Sequence, residues 1–426
     1  MAKTTWRVKA KEDRRFRSGH PWVYSNELME SPKGLEPGAL VELCDAGGKF
    51  LARGYGNPAS LIAFRAMSRD ALIEDPMAPA EVVKALASAV KLRERLGLAD
   101  VSYRLSFGEA DRLPGLVIDR YRLAGEGQVY VVQAHSAGAD RIARGIVEIL
   151  ETFVTQTQNA SAWAKTTVVL RNDLGVRKLE GLTEEEPVVL KEGVSLKSGA
   201  IRIASALPGQ DPLIFNVDLM KGQKTGFFLD QAANIQLAAL RLSHLRAEKG
   251  PLKILDLCTY VGQWGAQLSR VFKSQGVAVE VLAVDGSAPA LEYAKQNIEA
   301  QGARCETLKG DVLKDLEGLA AKSFDIVISD PPALIKGRKD MGAGTHAYLQ
   351  LNTQAVRLLK SEGGIVSCSC SGLLEEDEFI RVLNKSAFRN QTQIRWVARG
   401  AQSPDHPLLA EFPEGRYLKG WIGLNG

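Results

Sequence analysis

Side chains able to do chemistry concentrate in the C-terminal half of the chain. Asp256, Asp285, Asp311 and Asp330 each stand at or near the end of a short apolar run, in ILDL, VLAVD, GDVL and FDIVISD. Carboxylates at the carboxyl ends of buried strands line the crevice where open α/β sheets bind ligands. Four of them along one edge are hard to explain as packing. Cys368 and Cys370 lie at i and i+2 in SCSCSG, so a regular strand turns both to one side. Cysteines in such runs are usually buried as small hydrophobes. Cys370 differs because Ser371-Gly372 ends the strand beside it. A thiolate at a cleft edge can attack C6 of a pyrimidine, making C5 nucleophilic enough to take a methyl group. Lys336 or Arg338 could favour that thiolate.

These groups need elements to hold them. In ILDLCTYVGQWG, Ile254, Leu255 and Leu257 make a short buried parallel strand, Gly262 permits a tight turn, and Gln263–Phe272 can follow as a helix. Such a strand–loop–helix presents backbone N–H groups at a crevice. Asp285, ending the next strand, can accept hydrogen bonds from two ribose hydroxyls, which suits any adenosine cofactor. A dinucleotide site would want G-x-G-x-x-G, but only Gly262 and Gly265 are present. The wide loop fits a cofactor without phosphate, S-adenosylmethionine, better than a nicotinamide. Upstream, in GQKTGFFLDQAANIQ, Phe227 and Phe228 could wall an adenine or plug the core. Asp230 and Gln231 could start a helix or contact the cofactor. Downstream, Ser287 is an N-cap, Leu291, Ala294 and Ile298 form a helix face, and Gly302 closes it. Asp330-Pro331-Pro332 makes a rigid turn, since each proline fixes its own φ and biases the residue before it.

At 426 residues the chain is too long for one core, and its 45% hydrophobic and 24% charged content is that of a soluble globular protein. Net charge is only +4, so a nucleic-acid signal must come from local clustering. Lys3, Arg7, Lys9, Lys11, Arg14, Arg15 and Arg17 supply such a cluster, and Trp22 and Tyr24 follow in GHPWVYSNEL. Basic and aromatic residues together suit RNA phosphate and base stacking, against the alternatives of a solvated tail and core aromatics. The five cysteines include no C-x-x-C and have no nearby histidine, so no metal site is expected and reduced thiols in the cytoplasm are the default. No apolar run reaches membrane-spanning length.

In chain order, residues 1–75 read as a β-rich unit with strands in LVELCD, FLARGYG and LIAFRAMS. Residues 76–190 read as an α+β unit. It has a helix carrying Val82, Leu86 and Val90, strands in YRLSF, LVIDRY, VYVVQA and TTVVLRN, and one apolar helix face from Ile142 to Phe153. From 191 to 426, two hairpin-like strands precede a long strand–helix alternation, the pattern of a doubly wound α/β sheet.

The chain resembles a known family through DLCTYVGQWG, GDVL, SDPPA and SCSG, together with GHPWVYSNEL, EADRLPGLVIDRY, GQKTGFFLDQ and DHPLLAEFPEGRYLKG. It is similar to bacterial rRNA cytosine-5 methyltransferases acting on 23S rRNA. The resemblance implies an N-terminal PUA domain, a central α+β domain of strand-strand-helix-strand-strand order, and a Rossmann-like class I methyltransferase. It further implies S-adenosylmethionine as cofactor, ribosomal RNA as partner, Cys370 as nucleophile and Asp330 as the acid holding the pyrimidine. Asp256, Asp285 and Asp311 match the cofactor loop, the ribose ligand and the adenine contact. The expected cofactor site thus comprises Phe228, Gln231, Asp256, Tyr260, Gly262, Asp285, Ser287, Asp311, Val312 and Asp330. A homodimer is left open. Cys258 stands where Phe is common, and AANIQ stands where arginines are frequent. Ala333 supplies neither an aromatic for adenine chemistry nor a second cysteine, so the base that removes the C5 proton is unassigned. Guanine-N7 or another rRNA methylation, and a non-catalytic RNA-binding protein that keeps the fold, are the alternatives.

Overall fold

The computed structural model describes residues 4–196 and 199–426; Lys3 of the basic cluster lies outside them. Two compact units emerge from the packing. One comprises the chain up to Arg202 with two later stretches, Asp218–Phe227 and Asp405–Gly415. The other comprises Ile203–Val217, Phe228–Pro404 and Arg416–Gly426.

The first unit begins with β1 (Thr4–Arg7), a one-turn helix α1 (Arg14–Arg17), β2 (Trp22–Val23), β3 (Ala39–Cys44), β4 (Phe50–Gly56) and β5 (Phe64–Ser68). Their sheet runs β1-β3-β4-β5-β2 and encloses Trp6, Phe16, Val41, Leu43 and Phe64. Then come α2 (Pro79–Arg95), β6 (Tyr103–Phe107), β7 (Leu116–Arg122), β8 (Gln128–Ala134), α3 (Ala137–Ala143), α4 (Ile146–Thr157), α5 (Ala160–Ala164), β9 (Thr166–Leu170) and β10 (Val188–Lys191). The second sheet is ordered β10-β9-β8-β7-β6, with β8 and β9 parallel and the other pairs antiparallel. The single helix face expected from Ile142 to Phe153 is shared by two helices, because Arg144-Gly145 interrupts the run. Tyr55 of β4 and Met67 of β5 join the core formed by α2, β6–β8 and α4.

The basic N-terminal cluster is partly neutralised within the fold. Arg7 pairs with Glu30, Arg15 with Glu27, and Arg17 with Asp13 and Asp45. Trp22 gives its indole N–H to Glu109 at 2.8 Å and stacks edge-on with Phe412, while Arg15 lies over the Tyr24 ring. Both aromatics are half-buried and serve internal packing.

The chain continues through β11 (Ala200–Ile203), β12 (Leu213–Asn216) and α6 (Ala232–Leu242) to the large sheet. Its elements are β13 (Leu252–Leu257), α7 (Gln263–Ser274), β14 (Val279–Asp285), α8 (Ala288–Glu299), β15 (Arg304–Lys309), β16 (Phe324–Ser329), α9 (Met341–Leu358), β17 (Leu359–Ser369), α10 (Glu376–Arg389), β18 (Ile394–Gly400) and β19 (Lys419–Asn425). The order is β15-β14-β13-β16-β17-β19-β18. Pairing is parallel from β15 through β17, and β19 runs antiparallel to both its neighbours. Strand order therefore reverses between β13 and β16, and the crevice at their carboxyl ends is where a ligand is expected. Strands such as Phe324–Ser329, buried along their whole length and apolar apart from Asp325 and Ser329, are what a sheet covered on both faces requires. Among the described residues no helix is long and apolar enough to cross a membrane.

Candidate active site

Asp256 lies in β13, fully buried. Its Oδ2 accepts from the Thr259 hydroxyl at 2.6 Å and from the Gly265 N–H at 3.0 Å, which draws the loop back onto the strand. Its Oδ1 has no donor among the described residues. Burial pushes this carboxyl up to about 7, and the nearby Asp330 and Asp285 add to the shift against the two donors.

The loop itself is strained. Cys258, Tyr260 and Gly262 all have positive φ, at 59°, 50° and 81°. Two non-glycine residues in the left-handed region within three positions mark a loop shaped for a ligand. Gly262 could not be anything larger: a Cβ there would stand 2.9 Å from the Ala294 Cα of α8. Asn297, buried on α8, fixes the loop from below by donating to the Val261 carbonyl at 2.8 Å and bonding both backbone groups of Asn216.

Asp285 gathers the next loops. Its Oδ2 accepts from the Tyr260 N–H at 2.9 Å and its Oδ1 from the Ser287 N–H at 2.8 Å. The Gly310 N–H donates to the Asp285 backbone carbonyl. Ser287 caps α8 as expected, accepting from the Ala290 N–H. Phe228 is half-buried, its ring meeting Tyr260 edge-on at 5.1 Å, whereas Phe227 is buried. Asp311 and Val312 are placed differently from the other expected ligands. The exposed Asp311 carboxylate is held below its ordinary range by the Leu313 N–H and by Lys314, both within its own turn. Val312 packs against the sheet core.

Asp330 directly follows β16. The Gln231 amide N–H₂ donates to both of its oxygens at 2.8 Å, and the Trp264 indole N–H donates to Oδ2 at 2.9 Å. Asn234 in turn donates to the Gln231 Oε1 at 2.7 Å. Trp264 and Asn234 were not among the expected residues, although a polar-tipped aromatic in the first turn after the cofactor loop was a signal for the former.

Cys370 lies one residue beyond β17, half-buried, with Sγ 3.8 Å from the Pro331 carbonyl oxygen. The thiol thus faces the Asp330-Pro331-Pro332 turn. Cys368 lies within the strand, fully buried, and burial pushes its thiol well up. Burial and then Asp285 do the same to Cys258. Lys336 and Arg338, expected to favour a thiolate, are exposed. The cation beside Cys370 is instead Lys419 of β19, whose Nζ donates to the Ser371 carbonyl at 2.9 Å and the Tyr417 carbonyl at 3.0 Å. Its motif, YLKG, showed a lysine but not its place, which depends on Lys419 pairing with Ser369 across the sheet.

This donor set fits S-adenosylmethionine. Asp256, Asp285 and Asp330 surround the loop with carboxylates, which favour a ligand carrying ammonium and sulfonium charges and disfavour a pyrophosphate. The buried Asp256 Oδ1 lacks a donor, and an ammonium is one.

Comparison with known proteins agrees. A family profile described as a PUA-like domain matches residues 7–69, and one described as a methyltransferase domain matches residues 248–415. A ribosomal RNA large subunit methyltransferase I from Erwinia tasmaniensis is 32% identical over 412 residues, covering 94% of each chain. Its namesake from Photobacterium profundum is 32% identical over 434 residues, covering 99% of each. A solved methyltransferase structure complexed with SAH superposes with a TM-score of 0.74 at 16% identity, covering 99% of this chain and 100% of the other. A Streptococcus mutans structure described as a SAM-dependent methyltransferase gives 0.72 at 16% identity, with the same coverage. At that identity the two structures speak for the fold alone. Near-full-length identity to the first two proteins decides the family: the chain belongs to the ribosomal RNA large subunit methyltransferase I family.

Proposed function

We propose that the enzyme forms 5-methylcytosine in large-subunit ribosomal RNA, with S-adenosylmethionine as methyl donor. The supporting observation is the half-buried Cys370 thiol facing the Asp330-Pro331-Pro332 turn, while burial keeps the Cys368 and Cys258 thiols protonated. The cofactor, when bound, supplies an electrophilic methyl group. Asp256, Asp285 and Ser287 would hold it at the strained loop, and Phe228, Tyr260, Asp311 and Val312 would be its further contacts.

A cytosine must leave its stack to reach such a cleft. The Asp330 carboxylate, fixed by Gln231 and Trp264, acts only as an acceptor and so suits the exocyclic amine of cytosine. The Cys370 thiolate adds to C6, and the electron pair this moves into the ring makes C5 the nucleophile. C5 takes the methyl group, then loses its proton to a base, and the returning electron pair expels the thiolate.

Nucleoside mass spectrometry of large-subunit RNA after reaction tests the reading. 5-Methylcytidine should appear with the wild type and be lost with Cys370→Ala. 7-Methylguanosine, formed equally by both proteins, would replace this reading by guanine methylation, which needs no thiol.

A further inference from the structure

Lys419 has no part in the chemistry above, yet its side chain is unusual. A lysine at 8% exposure is rare unless something holds its charge. Here the holders are two backbone carbonyls, those of Ser371 and Tyr417. Among the described residues no carboxylate is bonded to it, so none of them cancels its charge by direct pairing.

Ser371 is the residue after Cys370, and its other groups are also fixed. The Ile335 N–H donates to its hydroxyl at 3.1 Å, and the Tyr348 hydroxyl lies 2.9 Å from it. The β17–β19 register places Lys419 opposite Ser369, on the other side of Cys370. The ammonium is therefore anchored to the backbone on which the thiol is mounted, at the residue next to Cys370.

We propose that Lys419 is a positioning residue whose buried ammonium keeps Cys370 in its reactive thiolate form. The proposal rests on the reading of Cys370 as the nucleophile. An ammonium held in a place of low dielectric stabilises a neighbouring anion far more than one in water does. The other charged or titratable groups of this corner act differently. Tyr348 of α9 and Cys368 of β17 are neutral and buried. Asp330, in the turn after β16, is anionic and tied to Gln231 and Trp264. Burial pulls Lys419 below its ordinary range, and Cys370 and then Glu375 and Glu376, at the start of α10, oppose this by favouring its protonated form. Only Lys419 among these can favour a thiolate.

The test is alkylation of Cys370 by iodoacetamide in the full-length protein without RNA, followed by peptide mass spectrometry as a function of pH. In the wild type the rate should level off below the pH typical of a free thiol. In Lys419→Met the inflection should move up by at least one pH unit, with the rate at pH 7 falling about tenfold. Lys419→Arg, which keeps the charge, should restore most of it. Circular dichroism and thermal melting identify the folded variants, and Lys419→Gln serves if the methionine variant does not fold. An unchanged profile in a folded, uncharged variant would overturn the proposal. Activity is scored separately. A Cys370→Ala enzyme that still methylates RNA defeats the nucleophile reading, whereas a Lys419-independent alkylation profile defeats only the role given to Lys419.

Discussion

Asp256 shows how a single residue couples the site to stability. Its carboxyl titrates near 7 when folded, against an ordinary value of 3.8, because burial disfavours the charge. The folded state thus holds this proton more tightly than the unfolded one. The associated stability is complete below about pH 4 and is lost as pH rises towards 7, by up to about 4 kcal/mol. Asp256→Asn should flatten that decline in ligand-free protein, which melting temperatures from pH 4 to 8 will check. Parallel curves for the two proteins would show that Asp256 is already charged when buried. The strand-end places of Asp285, Asp330 and Cys370 are legible in the sequence because apolar runs announce where those strands stop. Trp264 and Lys419 are not, since each acquires its role from a partner far along the chain, Asp330 and Ser371 respectively, whereas Asn234 acts on its near neighbour Gln231.

At the scale of elements, local pattern carries most of what holds the strained loop after β13. α7 and α8 begin where Gly262 and Ser287 mark them, and β13, β14 and β16 follow their apolar runs; the edge strand β15, RCETLK, has no such run, and GDVL lies beyond it outside any strand. Patterning fails for β1 and β2, of four and two residues, which are too short to show a period. It also fails for the β17–β19–β18 edge, where antiparallel pairing depends on tertiary register. The loop itself offers a sharp test. Gly262→Ala must adopt φ near +81° and press its Cβ against Ala294. A left-handed alanine costs roughly 1–2 kcal/mol and overpacking a further 1–3. Urea denaturation should therefore show a loss of about 2–5 kcal/mol, with cofactor affinity reduced as well. A midpoint equal to the wild type's would mean that the loop is free to move away from α8.

On the scale of the whole molecule, the first unit is joined by a buried polar network that no local pattern reveals. Glu180 accepts from both terminal nitrogens of Arg65 and from Ser60 and Asn57, and these contacts hold its carboxyl below the ordinary range despite burial. Arg93 likewise forks onto Asp111 and donates to the Asp405 carbonyl, tying in a stretch more than three hundred positions away. Composition and motif order reveal the α/β sheet and the β-rich start, but not this interleaving. Removing one partner of a buried pair leaves the other charge uncompensated, so Glu180→Ala should lower stability by about 3–5 kcal/mol. Thermal melting of the intact protein checks it, and a change below 1 kcal/mol would show that water replaces the lost contacts. For the same reason, deleting residues 1–75 would strip Arg65, Tyr55 and Met67 from the unit. A role of the N-terminal cluster in RNA binding is better tested by neutralising the exposed Lys11 and Arg14.

The enzyme on its RNA supplies the most direct measurement. Large-subunit RNA carrying 5-fluorocytosine should become covalently attached when S-adenosylmethionine is present, because fluorine cannot leave C5 as a cation once the methyl group is in place. The crosslinked peptide should contain Cys370, Cys370→Ala should give no adduct, and Cys368→Ala should still be trapped. Attachment through Cys368, or full methylation by Cys370→Ala without any adduct, would contradict a covalent mechanism at Cys370.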